Sequence, residues 1–221
     1  MKSFNWKKYT LLIGVLFLFP LIWVIFFGVM GKHHFSTLPY FDAEHLEGDT
    51  VKLSHQIRDY TLLDENLQSV SLNSLKGKVW LACFYDLSNP NIGKITERLL
   101  NVNFKYRNEP DIALVVIARK PDSLSEEGLN EYLKGLTKYN KFDGKWKYLM
   151  GDDSLVSLIE KESFFIKDLS KEARFRLVDT DGHVRGLYGN TEYHMQSIIE
   201  DIALLKKEVD IKRYQQRHAA D

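Results

Sequence analysis

The chain has 221 residues, with 30 Lys and Arg against 30 Asp and Glu, 44% hydrophobic residues and a single cysteine. Zero net charge excludes a global basic field for nucleic acid. One cysteine excludes an intramolecular disulfide scaffold, a cysteine zinc finger and a Cys-pair redox centre within one chain.

Charge and apolarity are unevenly distributed. Thr10 to Met30 (TLLIGVLFLFPLIWVIFFGVM) is 21 residues without a charge, about 31 Å as a helix and long enough to cross a bilayer. Pro20 lies mid-span, where membrane helices tolerate it, and Trp6 and Tyr9 fall where an interfacial belt would lie. Lys2, Lys7 and Lys8 precede the run, and the first acidic residue of the chain is Asp42. The lysine asymmetry predicts a cytoplasmic N-terminus, with everything after Met30 outside. The run is longer than a signal-peptide core, and Gly28-Val29-Met30-Gly31 is a poor cleavage site. The expectation is therefore an uncleaved single-pass anchor over 10–30, with a cytoplasmic segment 1–9.

Three of the basic residues precede the apolar run, so the remainder is mildly acidic. It is large enough for one domain with a core of its own. Residues 31–55, polar and carrying Pro39 and Gly48, read as a tether. Residues 56–209 read as the domain and 210–221 as a flexible tail.

Within the domain, strands and helices alternate. Tyr60–Leu63 and Ser69–Leu72 flank Asp64-Glu65-Asn66 as a hairpin. Val79–Tyr85 (VWLACFY) and Ile112–Ala118 (IALVVIA) are near-continuous apolar runs, which suit strands buried on both faces. Ile92, Ile95, Leu99, Val102 and Tyr106 recur at helical spacing, as do Leu129, Tyr132, Leu133 and Leu136. A strand over Trp146–Met150 precedes a helix beginning at Asp153. Asp181-Gly182 forms a turn between strands at Phe175–Val178 and His183–Tyr188. Met195, Ile198, Ile199, Ile202 and Leu205 mark a last amphipathic helix. This order predicts an α/β fold, a mixed sheet flanked by helices on both faces, the layout of a thioredoxin-like domain.

The stretch LPYFDAEHLEGDTVKLSHQIRDYTLLDENLQSVSLNSLKGKVWLACFYD, from Leu38 to Asp86, resembles the start of membrane-anchored SCO/SenC proteins. Trp146-Lys147-Tyr148-Leu149-Met150-Gly151-Asp152, Arg176-Leu177-Val178-Asp179-Thr180-Asp181-Gly182 and Arg185-Gly186-Leu187-Tyr188 continue the resemblance, in order and spacing, over about 38–208. It implies a thioredoxin fold and a setting in copper delivery to cytochrome oxidase. The family's copper ligands are two cysteines in a Cys-Pro-x-Ile-Cys pattern after the central strand, and a histidine before the last hairpin. A soft site of that kind suits copper. At the matching positions this chain has Asn89, Gly93 and Lys171, while Pro90 and Ile92 are kept. No histidine lies between Val156 and Thr180. An amide oxygen, an absent side chain and an ammonium neither hold copper nor attack a disulfide.

Other candidates carry simpler readings. Cys83 sits inside VWLACFY and reads as a buried apolar residue. His33, His34, His45 and His55 match no metal motif and read as exposed linker residues, and His183 and His194 as surface residues. Asp152-Asp153 suits a helix start, and Asp179 and Asp181 suit a turn. Lys206-Lys207 and Lys212-Arg213 read as a solvated face.

The resulting expectation is a non-enzymatic, ligand-less SCO-like protein without a bound cofactor. It is tethered in a bacterial inner membrane with its domain on the periplasmic side. It acts by contact with a respiratory-complex partner, in oxidase assembly or as an accessory subunit. The alternative is a copper carrier using His33, His34 or Cys83. A third reading, a thiol-disulfide enzyme, needs a partner to supply the second cysteine.

Overall fold

The computed structural model describes residues 16, 18, 19, 22, 23, 37–41, 43–45, 51–53, 56–86, 92–119, 145–166 and 174–219. The chain divides into two units, Met1–Ser36 and Thr37–Asp221. In the first, Leu16, Leu18, Phe19, Ile22 and Trp23 are helical, and the Phe19 and Trp23 rings meet edge to face at 6.1 Å. Among the described residues, no helix is long and apolar enough to cross a membrane. Most of the predicted span 10–30 lies outside the described residues, as does the helix expected around Leu129–Leu136.

The second unit is built on a seven-stranded mixed sheet and a separate two-stranded ribbon. The ribbon pairs β1 (Ala43–His45) with β2 (Val51–Leu53). In the sheet, β3 (Thr61–Leu63), β4 (Ser69–Ser71), β5 (Val79–Asp86), β6 (Ile112–Arg119), β7 (Trp146–Gly151), β8 (Arg174–Val178) and β9 (Val184–Tyr188) take the order β4-β3-β7-β6-β5-β8-β9. The β5–β6 and β6–β7 pairs are parallel and the remaining pairs antiparallel. Three α-helices are described: α1 (Ile92–Lys105), α2 (Asp153–Glu162) and α3 (Glu192–His218). A short 3-10 helix spans Leu72–Leu75.

The apolar run of β5 explains the layering. Side chains alternate across a strand, so Val79, Leu81 and Cys83 join one core cluster, and Trp80, Ala82 and Phe84 the other. The first cluster is closed by Ile95, Leu99 and Val102 of α1 and by Met195, Ile198, Ile202 and Leu205 of α3. The second is closed by Val156 and Ile159 of α2, with Leu72, Leu75 and Phe164. The helical spacing of these residues gives each helix one apolar face to lay on the sheet.

The register gives the sheet two distinct ends. Asp86 pairs with Arg119, Arg119 with Gly151, Phe84 with Arg174, and Phe175 with Tyr188. These define the upper end, from which α1, α2 and α3 all start. The lower end carries the 3-10 helix and the turn over Asp179–Gly182, where Gly182 adopts φ +89°, a conformation glycine takes at no steric cost.

Two boundaries differ from the sequence reading. The compact unit begins at Thr37 rather than at residue 56, because residues 37–41 are bonded to β9 and α3: Phe41 N–H donates to the Val184 carbonyl at 3.1 Å, and Leu38 N–H to Glu208 Oε1 at 2.8 Å. At the other terminus, α3 continues through the expected flexible tail to His218. Lys212 pairs with Asp181 at 3.1 Å and Arg213 with Asp111 at 2.6 Å, tying that extension down.

Two tyrosines of the first core layer make the domain sensitive to alkali. Tyr106 donates to the Ile199 carbonyl, and burial pushes its hydroxyl up to about 12 from 10.0. Tyr188 donates to Asp201 Oδ2 at 2.6 Å, and burial, then that carboxylate, raise it further. A raised phenol favours the protonated folded form, so this contribution is full below pH 10 and fades as pH climbs toward 12. Denaturation midpoints should therefore fall across that window. Tyrosinate absorbance should leave both residues protonated until the domain unfolds.

Candidate functional site

The fold-level candidate is the upper end of the sheet, where the chain leaves β5 and enters β8. These strands are adjacent and antiparallel, with Phe84 opposite Arg174. Asn89 lies three residues beyond the end of β5 and Lys171 three residues before β8, each within about 10 Å of chain reach. Both lie outside the described residues. Gly93 is described: it stands in the first turn of α1, exposed, with nothing within 4 Å of where a Cβ would be. The backbone there accommodates a side chain, so steric room does not explain the glycine.

Polar contacts brace this end. Arg119, at the close of β6, donates through Nε to Asp153 Oδ1 at 2.6 Å and through a terminal nitrogen to the buried Glu160, with Ser157 Oγ at 3.3 Å. Asp152 caps α2 by accepting Leu155 N–H at 2.7 Å, so the Asp152-Asp153 pair is occupied with a helix N-terminus and an arginine. Arg98 of α1 reaches Asn190 in the turn before α3. His194 accepts Gly189 N–H at Nδ1, 3.1 Å away, which occupies a lone pair a metal would need.

Cys83 is not at this site. It lies in the middle of β5, paired with Val116 on one side and Phe175 on the other. Its relative exposure is 0%, and burial raises its thiol well above the ordinary value. The protonated, enclosed thiol is neither a nucleophile nor a copper ligand. A thiol reagent should leave the native chain unmodified and react once per chain on denaturation. Stoichiometric reaction under native conditions would contradict this placement.

His33, His34 and His55 lie outside the described residues, and only the backbone of His45 is described. Among the described residues, no group of three His, Cys, Asp or Glu is placed to hold a metal ion. His183 departs from its surface reading. It is buried at 6% exposure, because Gln56 covers it, with the nitrogens 3.4 Å apart, and the Tyr40 ring meets its edge at 5.6 Å.

The sequence reading missed a charge cluster at the lower end. Arg185 donates to Asp179 Oδ2 at 3.1 Å, Glu208 Oε2 at 2.8 Å, the Leu38 carbonyl at 2.7 Å and the Pro39 carbonyl at 3.3 Å. Its guanidinium lies 3.9 Å from the centre of the Tyr40 ring. Asp179 Oδ1 meanwhile accepts the N–H groups of Asp181 and His183. Asp179 thus does more than shape a turn. The only sequence signal was Arg185 within a strand of apolar residues, where a charge needs partners; its carboxylates lie 6 and 23 residues away, and the Leu38 and Pro39 carbonyls 147 and 146.

No known family profile and no curated protein sequence matches the chain. Solved structures do match it. BsSco, a member of the Sco family of cytochrome c oxidase assembly proteins, superposes with a TM-score of 0.55 at 24% identity, over 68% of this chain and 93% of that one. The thioredoxin domain of a thiol-disulfide oxidoreductase from Bacteroides vulgatus gives 0.52 at 18% identity, over 67% and 96%. The fold is thioredoxin-like. Copper-bound ScoI from Bradyrhizobium japonicum gives 0.50 at 18% identity, over 68% and 99%. These matches, at low identity, establish the architecture. On this thioredoxin-like domain the lone cysteine is in the core, which argues against a dithiol or a two-thiolate copper motif.

Proposed function

We propose that this chain is a membrane-anchored, ligand-less SCO-like module, not an enzyme. It acts by protein contact in the assembly of a respiratory terminal oxidase or as an accessory subunit of one. The observation that carries the reading is the position of Cys83. The only thiol in the chain is sealed between β6 and β8, so no thiolate of this chain reaches the upper end of the sheet. This reading assigns the upper end of the sheet to recognition rather than to electron or metal transfer. The copper-carrier alternative loses Cys83 by the same fact and is left with His33 and His34.

The experiment is cross-linking from a photoreactive residue at Gly93, in native membranes, followed by identification of what copurifies. An oxidase subunit or oxidase assembly protein supports the reading. Cross-links confined to unrelated proteins, or unchanged when the photoreactive group is moved to the lower end, would sink it.

A further inference from the structure

We infer that the open cleft at the lower end of the sheet is a phosphate-binding site, in which Lys76, Lys212 and Arg213 receive a doubly charged phosphate, free or carried on a small polar molecule. The site lies wholly within the unit Thr37–Asp221.

Three elements meet at the cleft: the end of the 3-10 helix with Lys76 and Gly77, the turn over Asp179–Gly182, and the C-terminal half of α3. Hydrogen bonds hold them in place. Gly77 N–H donates to the Thr180 carbonyl at 2.9 Å, and Lys212 Nζ to Asp181 Oδ2 at 3.1 Å. Arg213 donates through one terminal nitrogen to Asp111 Oδ2 at 2.6 Å, and its other terminal nitrogen faces the Gly77 carbonyl at 3.5 Å. Contacts between remote segments thus bring Lys76 to the same opening as Lys212 and Arg213.

The charge balance selects the ligand. The cleft has a volume of about 620 Å³, and among the described residues that line it Lys76, Lys212 and Arg213 face one carboxylate, Asp181. That surplus of positive charge matches a phosphate dianion. The ion pairs already present do not exhaust the donors: Lys212 has three and gives one to Asp181, and the guanidinium of Arg213 has five. The Lys212–Asp181 pair is exposed on both sides, so little stability is lost when the ammonium turns to a stronger anion. A guanidinium fork and two ammonium groups suit the several oxygens of a phosphate. Gln56, Gln216 and Thr180 line the rest of the cleft, and their amide and hydroxyl groups suit a polar remainder of the ligand.

The test is calorimetric titration of the full chain in nonionic detergent, at fixed ionic strength and about pH 8, where a phosphate monoester is doubly charged. The probes are inorganic phosphate and glycerol phosphate. One equivalent should bind, with a dissociation constant below about 1 mM for the tighter probe. Lys76→Gln and Lys212→Gln should each weaken binding about fivefold, the effect of one unit charge at roughly 4 Å in water, with the circular dichroism spectrum unchanged. Asp181→Asn removes the opposing charge at a turn position that asparagine tolerates, and should tighten binding by a similar factor. All three side chains are exposed, and effects of opposite sign do not arise from loss of folding. Tighter binding of glycerol phosphate than of inorganic phosphate assigns the site to a phosphate monoester, and the reverse order assigns it to free phosphate. Binding of neither probe that saturates by about 10 mM, constants unchanged in both lysine variants, or weaker binding to Asp181→Asn would overturn the inference.

Discussion

Replacing Arg185 with methionine is expected to destabilise the domain by about 3–5 kcal/mol, the cost of stranding a buried partner charge. Asp179 is 4% exposed and would retain only the N–H groups of Asp181 and His183. Glu208 would lose its 2.8 Å partner, and the carbonyls of Leu38 and Pro39 their donors. Methionine preserves much of the side-chain volume, so the loss reports the charge and its hydrogen bonds rather than a cavity. Arg185→Lys restores one charge but not the planar fork that serves four acceptors, and should fall between the two. Denaturant titration followed by near-ultraviolet circular dichroism measures all three chains. A loss below about 1 kcal/mol for the methionine variant would mean that the cluster contributes no more than an exposed pair.

The second large effect is a gain. Asn89→Cys, Gly93→Cys and Lys171→His together should create a copper site that survives a competing chelator, with sulfur-to-metal charge-transfer absorption. The ground is the register of β5 and β8, which holds the chain entering 89 and the chain leaving 171 on neighbouring strands at one end of the sheet. The open space at Gly93 admits the second cysteine. Each single change should retain far less copper, since one ligand cannot hold the ion against the chelator. A folded triple variant that binds nothing leaves two explanations, which moving the histidine to Ser170 or Glu172 separates. Recovery at a neighbour blames the register of that segment. Failure at all three positions means the loop ends have taken up another geometry.

How far the sequence could be read depended on the range of the signal. The sheet was legible where the pattern is local: VWLACFY and IALVVIA read as strands buried on both faces, and they pair as β5 and β6 along eight residues. Asp181-Gly182 marked its turn because few residues other than glycine tolerate the φ found there. The extent of α3 was not legible, because beyond Leu205 the helix has little apolar periodicity. What extends it are ion pairs to Asp181 and Asp111, residues remote in the chain. The burial of His183 and the two carbonyl partners of Arg185 were hidden for the same reason: Gln56 precedes His183 by 127 residues, and Leu38 and Pro39 precede Arg185 by 147 and 146. At the candidate site, the identities of Asn89, Gly93 and Lys171 could be compared with a family pattern, but the cage around Cys83 needed the pairing of three strands.

The most direct test of the central claim is copper retention by the full wild-type chain. The purified protein is loaded with Cu(I) or Cu(II), challenged with a chelator and assayed for metal. The account predicts no stoichiometric copper in either state, because the only thiol is enclosed in the sheet and the family's ligand positions hold Asn89, Gly93 and Lys171. About one equivalent of retained copper, lost on His33→Ala or Cys83→Ser, would contradict it and make the chain a copper carrier.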